Sequence, residues 1–269
     1  MSIPFFQVDA FVTREPFSGN PAGVCIVPGR MDTPWMQLLA AEVNQAETAF
    51  LYAEEDGFRL RWFTPKMEVA LCGHATLASA HVLWQEGILK KGEEARFYTQ
   101  SGLLKACQKG DLIELDFPAR PAVPCEKPKG LEECLGTRVL STGLTGTVYL
   151  AELASDQAVR KVKPDFKLME SFLNSQLHGV IITAASDDPA YDFVSRFFAP
   201  AAGIPEDPVT GSAHCCLGPF WESRLHKNTF SAYQASERGG ALQVRCEGDR
   251  VYLGGKALTV IQGCLSQFE

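Results

Sequence analysis

Apolar and polar positions along this chain fall into short alternating stretches broken by small-residue stretches of helical period. Residues 4–11 alternate loosely and predict a strand. The turn-rich Phe17-Ser-Gly-Asn-Pro-Ala-Gly-Val then leads to a second strand at Val24–Val27. Thr33-Pro34 opens a helix to about Val43, with Pro where a helix tolerates it and Leu38, Leu39 and Val43 on its apolar face. Strands follow at Ala49–Tyr52 and Phe58–Phe63, joined through Glu55-Asp56-Gly57. A slim helix carrying Ala75, Ala78, Ala80 and Leu83 runs from Ala75 to about Glu86, stopping near Gly87. Short strands at Arg96–Thr99, Gly102–Cys107 and Asp111–Phe117 complete the first half.

The second half repeats this grammar. Strands are expected near 138–141, 147–154 and 178–184, with a helix near 165–173, and Tyr191–Phe198 leads to Pro200. A second small-residue helix spans about Ala213–Ser223, and strands near 230–234, 241–246, 250–254 and 257–261 finish the chain, the last with no partner that the sequence specifies. Arg61-Trp-Phe-Thr-Pro is echoed by Arg196-Phe-Phe-Ala-Pro at an offset of 135, and Cys72-Gly-His-Ala by Thr210-Gly-Ser-Ala at 138. Ordered echoes at nearly constant offset point to an internal duplication. The expected architecture is α+β, with two pseudo-symmetric halves at 1–118 and 131–269 joined by the proline-rich linker 119–130. In each half a mostly antiparallel sheet would curl round one helix.

Composition narrows the class. A chain of 269 residues with 46% hydrophobic and 21% charged residues is long enough for two cores. Its net charge of −7, with no Lys/Arg-rich run, argues against nucleic acid as a partner. No apolar run approaches a membrane span. Nine irregularly spaced cysteines without a secretory leader suggest reduced thiols and a cytoplasmic location.

The chemistry gathers at the two helix starts. Gly73 and Gly211 each stand where a loop becomes a helix, leaving backbone N–H groups and the positive end of the helix dipole for a carboxylate or phosphate. Either glycine alone reads as a packing device; two copies with polar neighbours suggest a site facing a cleft between the halves. Around it stand Glu47, Cys72, His74, Asp207, Thr210, Ser212, His214 and Cys215. Asn20-Pro-Ala-Gly reads first as a turn, with an Asn20 amide in the cleft as the other reading. Glu47 alone reads as a solvated acid. Asp207, held extended by Pro208, is equally a cap and an orienting carboxylate.

Several reactions can be weighed on these residues. Ser212, His74 and Asp207 are the residue types of a hydrolytic triad, without the Gly-x-Ser-x-Gly elbow. Cys72, His74, His214, Cys215 and Cys216 lack the paired spacings of a zinc site, so no metal is expected. Neither a phosphate-binding Walker loop nor a dinucleotide fingerprint is present, and no cofactor is expected. Proton transfer by a carboxylate and an imidazole remains.

Taken together, Phe17-Ser-Gly-Asn-Pro-Ala-Gly-Val, Glu47-Thr-Ala-Phe, Phe63-Thr-Pro, Glu68-Val-Ala-Leu-Cys-Gly-His-Ala-Thr-Leu-Ala, Glu206-Asp-Pro-Val-Thr-Gly-Ser-Ala-His-Cys and Gln234-Ala-Ser-Glu-Arg-Gly-Gly resemble the PhzF-like family. That family is named for the phenazine-biosynthesis isomerase and is structurally related to diaminopimelate epimerase. The resemblance covers essentially the whole chain and implies two halves with the active site between them. It implies a cofactor-independent isomerase in which Glu47 moves a proton between carbons of a small carboxylated metabolite. His74 and Asp207 would assist and orient the substrate, Ser212 would contribute near the second helix, and Gly73 and Gly211 would offer N–H groups to a carboxylate. Asn20 joins the substrate-binding set, and a homodimer is implied by analogy. The related epimerases use two cysteines; here their equivalents are Cys72 and Thr210, which argues against a two-thiol racemase. Ala46 stands where the family commonly has Ser. A non-catalytic metabolite-binding protein of the same fold and a Ser212-dependent hydrolase are the alternatives.

Overall fold

Stretches with a period of two become strands and small-residue stretches become helices in the computed structural model, which describes residues 2–173 and 177–266. The chain divides into two compact units, Met1–Phe117 with Gly254–Glu269, and Pro118–Leu253.

In the first unit the strands are β1 (Ile3–Ala10), β2 (Asn20–Ile26), β3 (Glu47–Glu54), β4 (Gly57–Phe63), β5 (Glu68–Val69), β6 (Ala95–Thr99), β7 (Gly102–Lys109) and β8 (Leu112–Pro118). Helix α1 (Thr33–Val43) lies between β2 and β3, and α2 (Gly73–Gln85) between β5 and β6. Pairing is antiparallel for β1–β2, β3–β4 and β6–β7, and parallel for β2–β3 and β4–β6. Helix α2 is buried along most of its length, with Ala75, Leu77, Ala78, Ala80, Val82 and Leu83 fully enclosed. Small side chains let it pack directly on β1, β2 and β3. Helix α1 covers a different set, with Met36 and Ala40 packed among Ile3, Cys25, Phe50 and Phe63.

The second unit has β9 (Val123–Pro124), β10 (Val139–Thr145), β11 (Val148–Leu153), β12 (Gly179–Ala185), β13 (Phe193–Ala199), β14 (Ile204–Asp207), β15 (Thr229–Gln234), β16 (Gly240–Glu247) and β17 (Arg250–Gly255). Its helices are α3 (Leu131–Leu135), α4 (Asp156–Lys161), α5 (Phe166–Phe172) and α6 (Gly211–Leu225). The pairing sequence repeats that of the first unit. It is antiparallel for β10–β11, parallel for β11–β12, antiparallel for β12–β13, parallel for β13–β15 and antiparallel for β15–β16. Helix α6 fills the place of α2 in the connection order. A Cβ on its Gly218 would stand 2.8 Å from Cys246 Sγ and 3.1 Å from Val244, so the helix comes closer to β16 than any larger residue permits. Residues Leu131, Cys134, Leu135, Val159 and Met169 of α3–α5 form a separate core with Ala151, Val180, Ile182 and Phe198.

Three sequence expectations change. The last strand, β18 (Ala257–Leu265), pairs antiparallel with β1 along its whole length, so 254–269 belongs to the first unit rather than to the second half. A strand's partner is a long-range choice that its own residues do not encode. Residues 119–130 are not a free linker, because β9 pairs with β10 and Arg120 N–H donates to Cys215 O. Asn20-Pro-Ala-Gly is not a turn but the start of β2, with Asn20 opposite Ala10. Proline is tolerated near the beginning of a strand, and the change of direction falls at Gly19, whose φ is +82°.

Candidate active site

Parallel pairing of β2 and β3 begins with Ala22 opposite Glu47. Alternation then puts Asn20, two residues before Ala22, on the same face as Glu47. The first turn of α2 supplies His74, with Cys72 as the N-cap residue. Three separate stretches are thereby brought to one spot. His74 Nε2 lies 3.1 Å from Glu47 Oε2. On the other side of the ring, His74 Nδ1 is 3.1 Å from Asn20 Nδ2 and 3.6 Å from Cys72 Sγ. Asn20 is fully buried, and the side chains of His74 and Glu47 retain 6% and 13% exposure, so the carboxylate is the most accessible member.

Burial works to lower the His74 pKa, yet Cys72 and Glu47 together hold it well above the ordinary histidine value. Burial, reinforced by the Glu47 charge, pushes the Cys72 thiol up to about 11, so it is neutral near pH 7. Asn20 suits either charge state of His74. An amide turned with nitrogen forward donates to a neutral ring, and turned with oxygen forward it accepts from an imidazolium.

The second unit carries a different set at the start of α6. Thr210, the N-cap residue, donates from Oγ1 to Asp207 Oδ2 at 2.5 Å. Gln234, fully buried on β15, accepts from Thr210 N–H at 2.9 Å and donates to Asp207 O at 2.7 Å and to Thr210 Oγ1 at 3.1 Å. Because Gln234 occupies the hydroxyl as a donor, the Thr210 proton is directed at the Asp207 carboxylate. His214 donates from Nδ1 to Thr210 O at 2.8 Å, and its buried Nε2 has no partner among the described residues. Burial pulls its pKa down to about 4, so this imidazole is neutral.

Both helices begin without a side-chain cap and without an acid in the first turn. Neither Gly73 nor Gly211 has a positive φ, so their first-turn N–H groups are presented by ordinary helical backbone. The approach to each start is also repeated. Arg61 holds Glu68 through two bonds of 2.7 Å and lies over Phe63 at 5.1 Å. Arg196 holds Glu206 through bonds of 2.7 and 2.8 Å and lies over Phe198 at 4.9 Å. The change of offset from 135 to 138 falls between Pro200 and Glu206, where the second unit carries the extra single turn Pro200–Ala202.

Several sequence candidates thus come together and others do not. Glu47, His74 and Asn20 form one set, although Asn20 meets His74 rather than pointing out from a turn. Asp207 bonds Thr210 of the second set. Ser212 is exposed, at the rim of a cavity of about 470 Å³ that Arg120, Thr145 and Phe197 also line, and no hydrogen bond joins its hydroxyl to His214. The acid that His74 meets is Glu47. Of the cysteines and histidines weighed as zinc ligands, Cys72 and His74 do meet. With Glu47 they are the one group of metal-type donors among the described residues, all within 4.8 Å. Gln234 carried no role in the sequence reading; its only signal was its place at the head of Gln-Ala-Ser-Glu-Arg-Gly-Gly. The Arg61 and Arg196 echoes were visible, but their glutamate partners were not.

An α+β fold of this kind is shared with a probable proline racemase from Agrobacterium radiobacter, solved with bound carbonate (TM-score 0.66, 13% identity, 98% of this chain and 93% of that one), a likeness of fold alone. The family described as "Phenazine biosynthesis-like protein" (PhzC-PhzF) matches residues 8–263. The chain is 49% identical to a protein of Halalkalibacterium halodurans named as an uncharacterized isomerase, over 97% of this chain and 98% of that protein. A crystal structure of a PhzF-family phenazine biosynthesis protein from Enterococcus faecalis superimposes with a TM-score of 0.93 at 40% identity, covering 99% of this chain and all of that one. The chain belongs to the PhzC-PhzF family.

Proposed function

We propose that this protein is an isomerase that moves a carbon-bound proton on a small carboxylated metabolite, with Glu47 as the acid/base and no organic cofactor. The observation that carries the reading is the contact of 3.1 Å between Glu47 Oε2 and His74 Nε2, with His74 held protonated beside the carboxylate. An ionised Glu47 takes the proton from carbon and becomes neutral. The imidazolium of His74, no longer matched by the carboxylate, then faces the negative charge left on the substrate. Net charge in the site is unchanged through the step, and a preorganised cation in a water-poor site is an effective stabiliser of developing negative charge. Glu47 returns the proton to a different carbon, which completes an isomerisation. Family membership and relatives named as isomerases support this class of reaction.

Gly73 and Gly211 have the part of offering first-turn N–H groups to substrate carboxylates, which the uncapped helix starts support. Asp207, oriented by Thr210, and the free hydroxyl of Ser212 have the part of fixing the substrate. The test is solvent-deuterium incorporation into a panel of small carboxylic acids incubated with the protein. Glu47→Gln keeps the shape and the contact with His74 but removes the base, and incorporation is expected to fall about 10²–10⁴-fold. Incorporation by Glu47→Gln at the wild-type rate would remove Glu47 from the mechanism.

A further inference from the structure

We propose that Glu47, Cys72 and His74 form a binding site for a thiophilic divalent cation of the zinc type, and that such an ion, when bound, blocks proton transfer. The first half of this proposal stands on geometry alone; the blocking rests on the function proposed above.

A carboxylate oxygen, a thiol sulfur and an imidazole nitrogen, three different donor types, converge within 4.8 Å of one another. Zinc bonds of about 2.0–2.3 Å in tetrahedral arrangement put N and O ligands about 3.3 Å apart and N and S ligands about 3.6 Å apart. The corresponding distances from His74 Nε2 are 3.1 Å to Glu47 Oε2 and 3.8 Å to Cys72 Sγ. The third pair, Glu47 and Cys72, lies within 4.8 Å and draws together when the site closes on an ion. Three protein ligands leave a fourth position for water or a carboxylate.

A further observation favours an ion here. Metal-binding histidines usually engage a polar group through the nitrogen that does not bind metal, and Asn20 already lies 3.1 Å from His74 Nδ1. The sulfur ligand selects zinc-like ions over magnesium and calcium, which prefer oxygen. The second unit provides an internal contrast. Thr210 stands at the N-cap position held by Cys72, and His214 Nδ1 is committed to a backbone carbonyl.

The test uses the full-length protein, freed of metal with a chelator and titrated with Zn²⁺, Co²⁺ and Mg²⁺. One equivalent of Zn²⁺ or Co²⁺ is expected to bind, with a thiolate-to-cobalt charge-transfer band and tetrahedral ligand-field bands, whereas Mg²⁺ does not compete. Cys72→Ser loses the charge-transfer band; Asn20→Ala, which keeps all three ligands, weakens binding about 10–100-fold. Cys264→Ser, at an exposed cysteine on β18, leaves binding unchanged. Circular dichroism confirms that each variant is folded. No stoichiometric Zn²⁺ binding, or a charge-transfer band that survives Cys72→Ser and disappears in Cys264→Ser, overturns the site. Deuterium incorporation is then read with and without one equivalent of Zn²⁺, and suppression reversed by chelator is expected. Incorporation unaffected by a bound ion overturns the blocking. Absence of incorporation in the metal-free protein overturns the isomerase reading, whereas the cobalt spectrum decides the metal site independently.

Discussion

His74 and His214 both stand in the first turn of a buried helix that begins with glycine, yet they end in opposite states. His74 meets a carboxylate and is held well above the ordinary histidine pKa, whereas His214 meets only a backbone carbonyl and is pulled down to about 4. Burial is common to both and favours the neutral form in both. The partner decides the sign. Glu47 is available to His74 because β2 and β3 run parallel and start together, whereas the second unit places Thr210 and Gln234 at its helix start and uses them to hold Asp207. Two copies of one supersecondary plan have thus become a proton-holding start and an orienting start.

The shared part of the plan, the Arg–Glu clamp before each helix, offers the sharpest contrast in stability. Arg196 is the more buried of the two arginines and also donates to the carbonyls of Val159 and Val162. Arg196→Met leaves Glu206 and both carbonyls without their donor and is expected to cost about 3–5 kcal/mol. Arg61→Met, which removes the donor to Glu68 and Thr33 but leaves no backbone carbonyl unpaired, is expected to cost about 1–2 kcal/mol. Equal midpoint shifts of the two variants in urea unfolding would show that the extra carbonyl bonds contribute nothing.

The two histidines should give opposite pH slopes. His74, raised in the folded state, contributes stability that is present below the unfolded value of about 6.5 and is lost as pH rises through its folded pKa. His214 is depressed, so no penalty applies above about pH 6.5; stability falls between there and about pH 4, on the order of 2–3 kcal/mol at the lower end. Proton NMR titration of the ring signals checks both directly. His74 should remain protonated at pH 7 and become neutral more readily in Glu47→Gln. His214 should remain neutral at pH 5.5. Protonation of both rings at one common pH would abolish the contrast.

The orienting start gives a contrast of its own. Thr210→Val removes the donor to Asp207 and the acceptor for Gln234, for an expected loss of about 1–3 kcal/mol, whereas Thr210→Ser keeps the hydroxyl and should lose under about 1 kcal/mol. Differential scanning calorimetry that cannot separate Val from Ser would remove Thr210 from any part in holding Asp207.

What the chain determined by itself is local and periodic. The alternation of 58–63, the small residues of 75–83 and the repeat of Arg-aromatic-Phe-x-Pro predict strands, a slender buried helix and a duplicated plan, because strand and helix periods and glycine's freedom act within a few residues. The motifs containing Glu47 and His74 also marked where to look. The tertiary structure decided whatever depends on a distant partner. It turned Asn20-Pro-Ala-Gly from a turn into a strand, returned β18 to β1 and set Gln234 against Thr210. It also gave one buried histidine a carboxylate and the other a carbonyl. Side-chain charge follows from burial and neighbours contributed by remote stretches, and no short-range pattern in a single sequence carries that information.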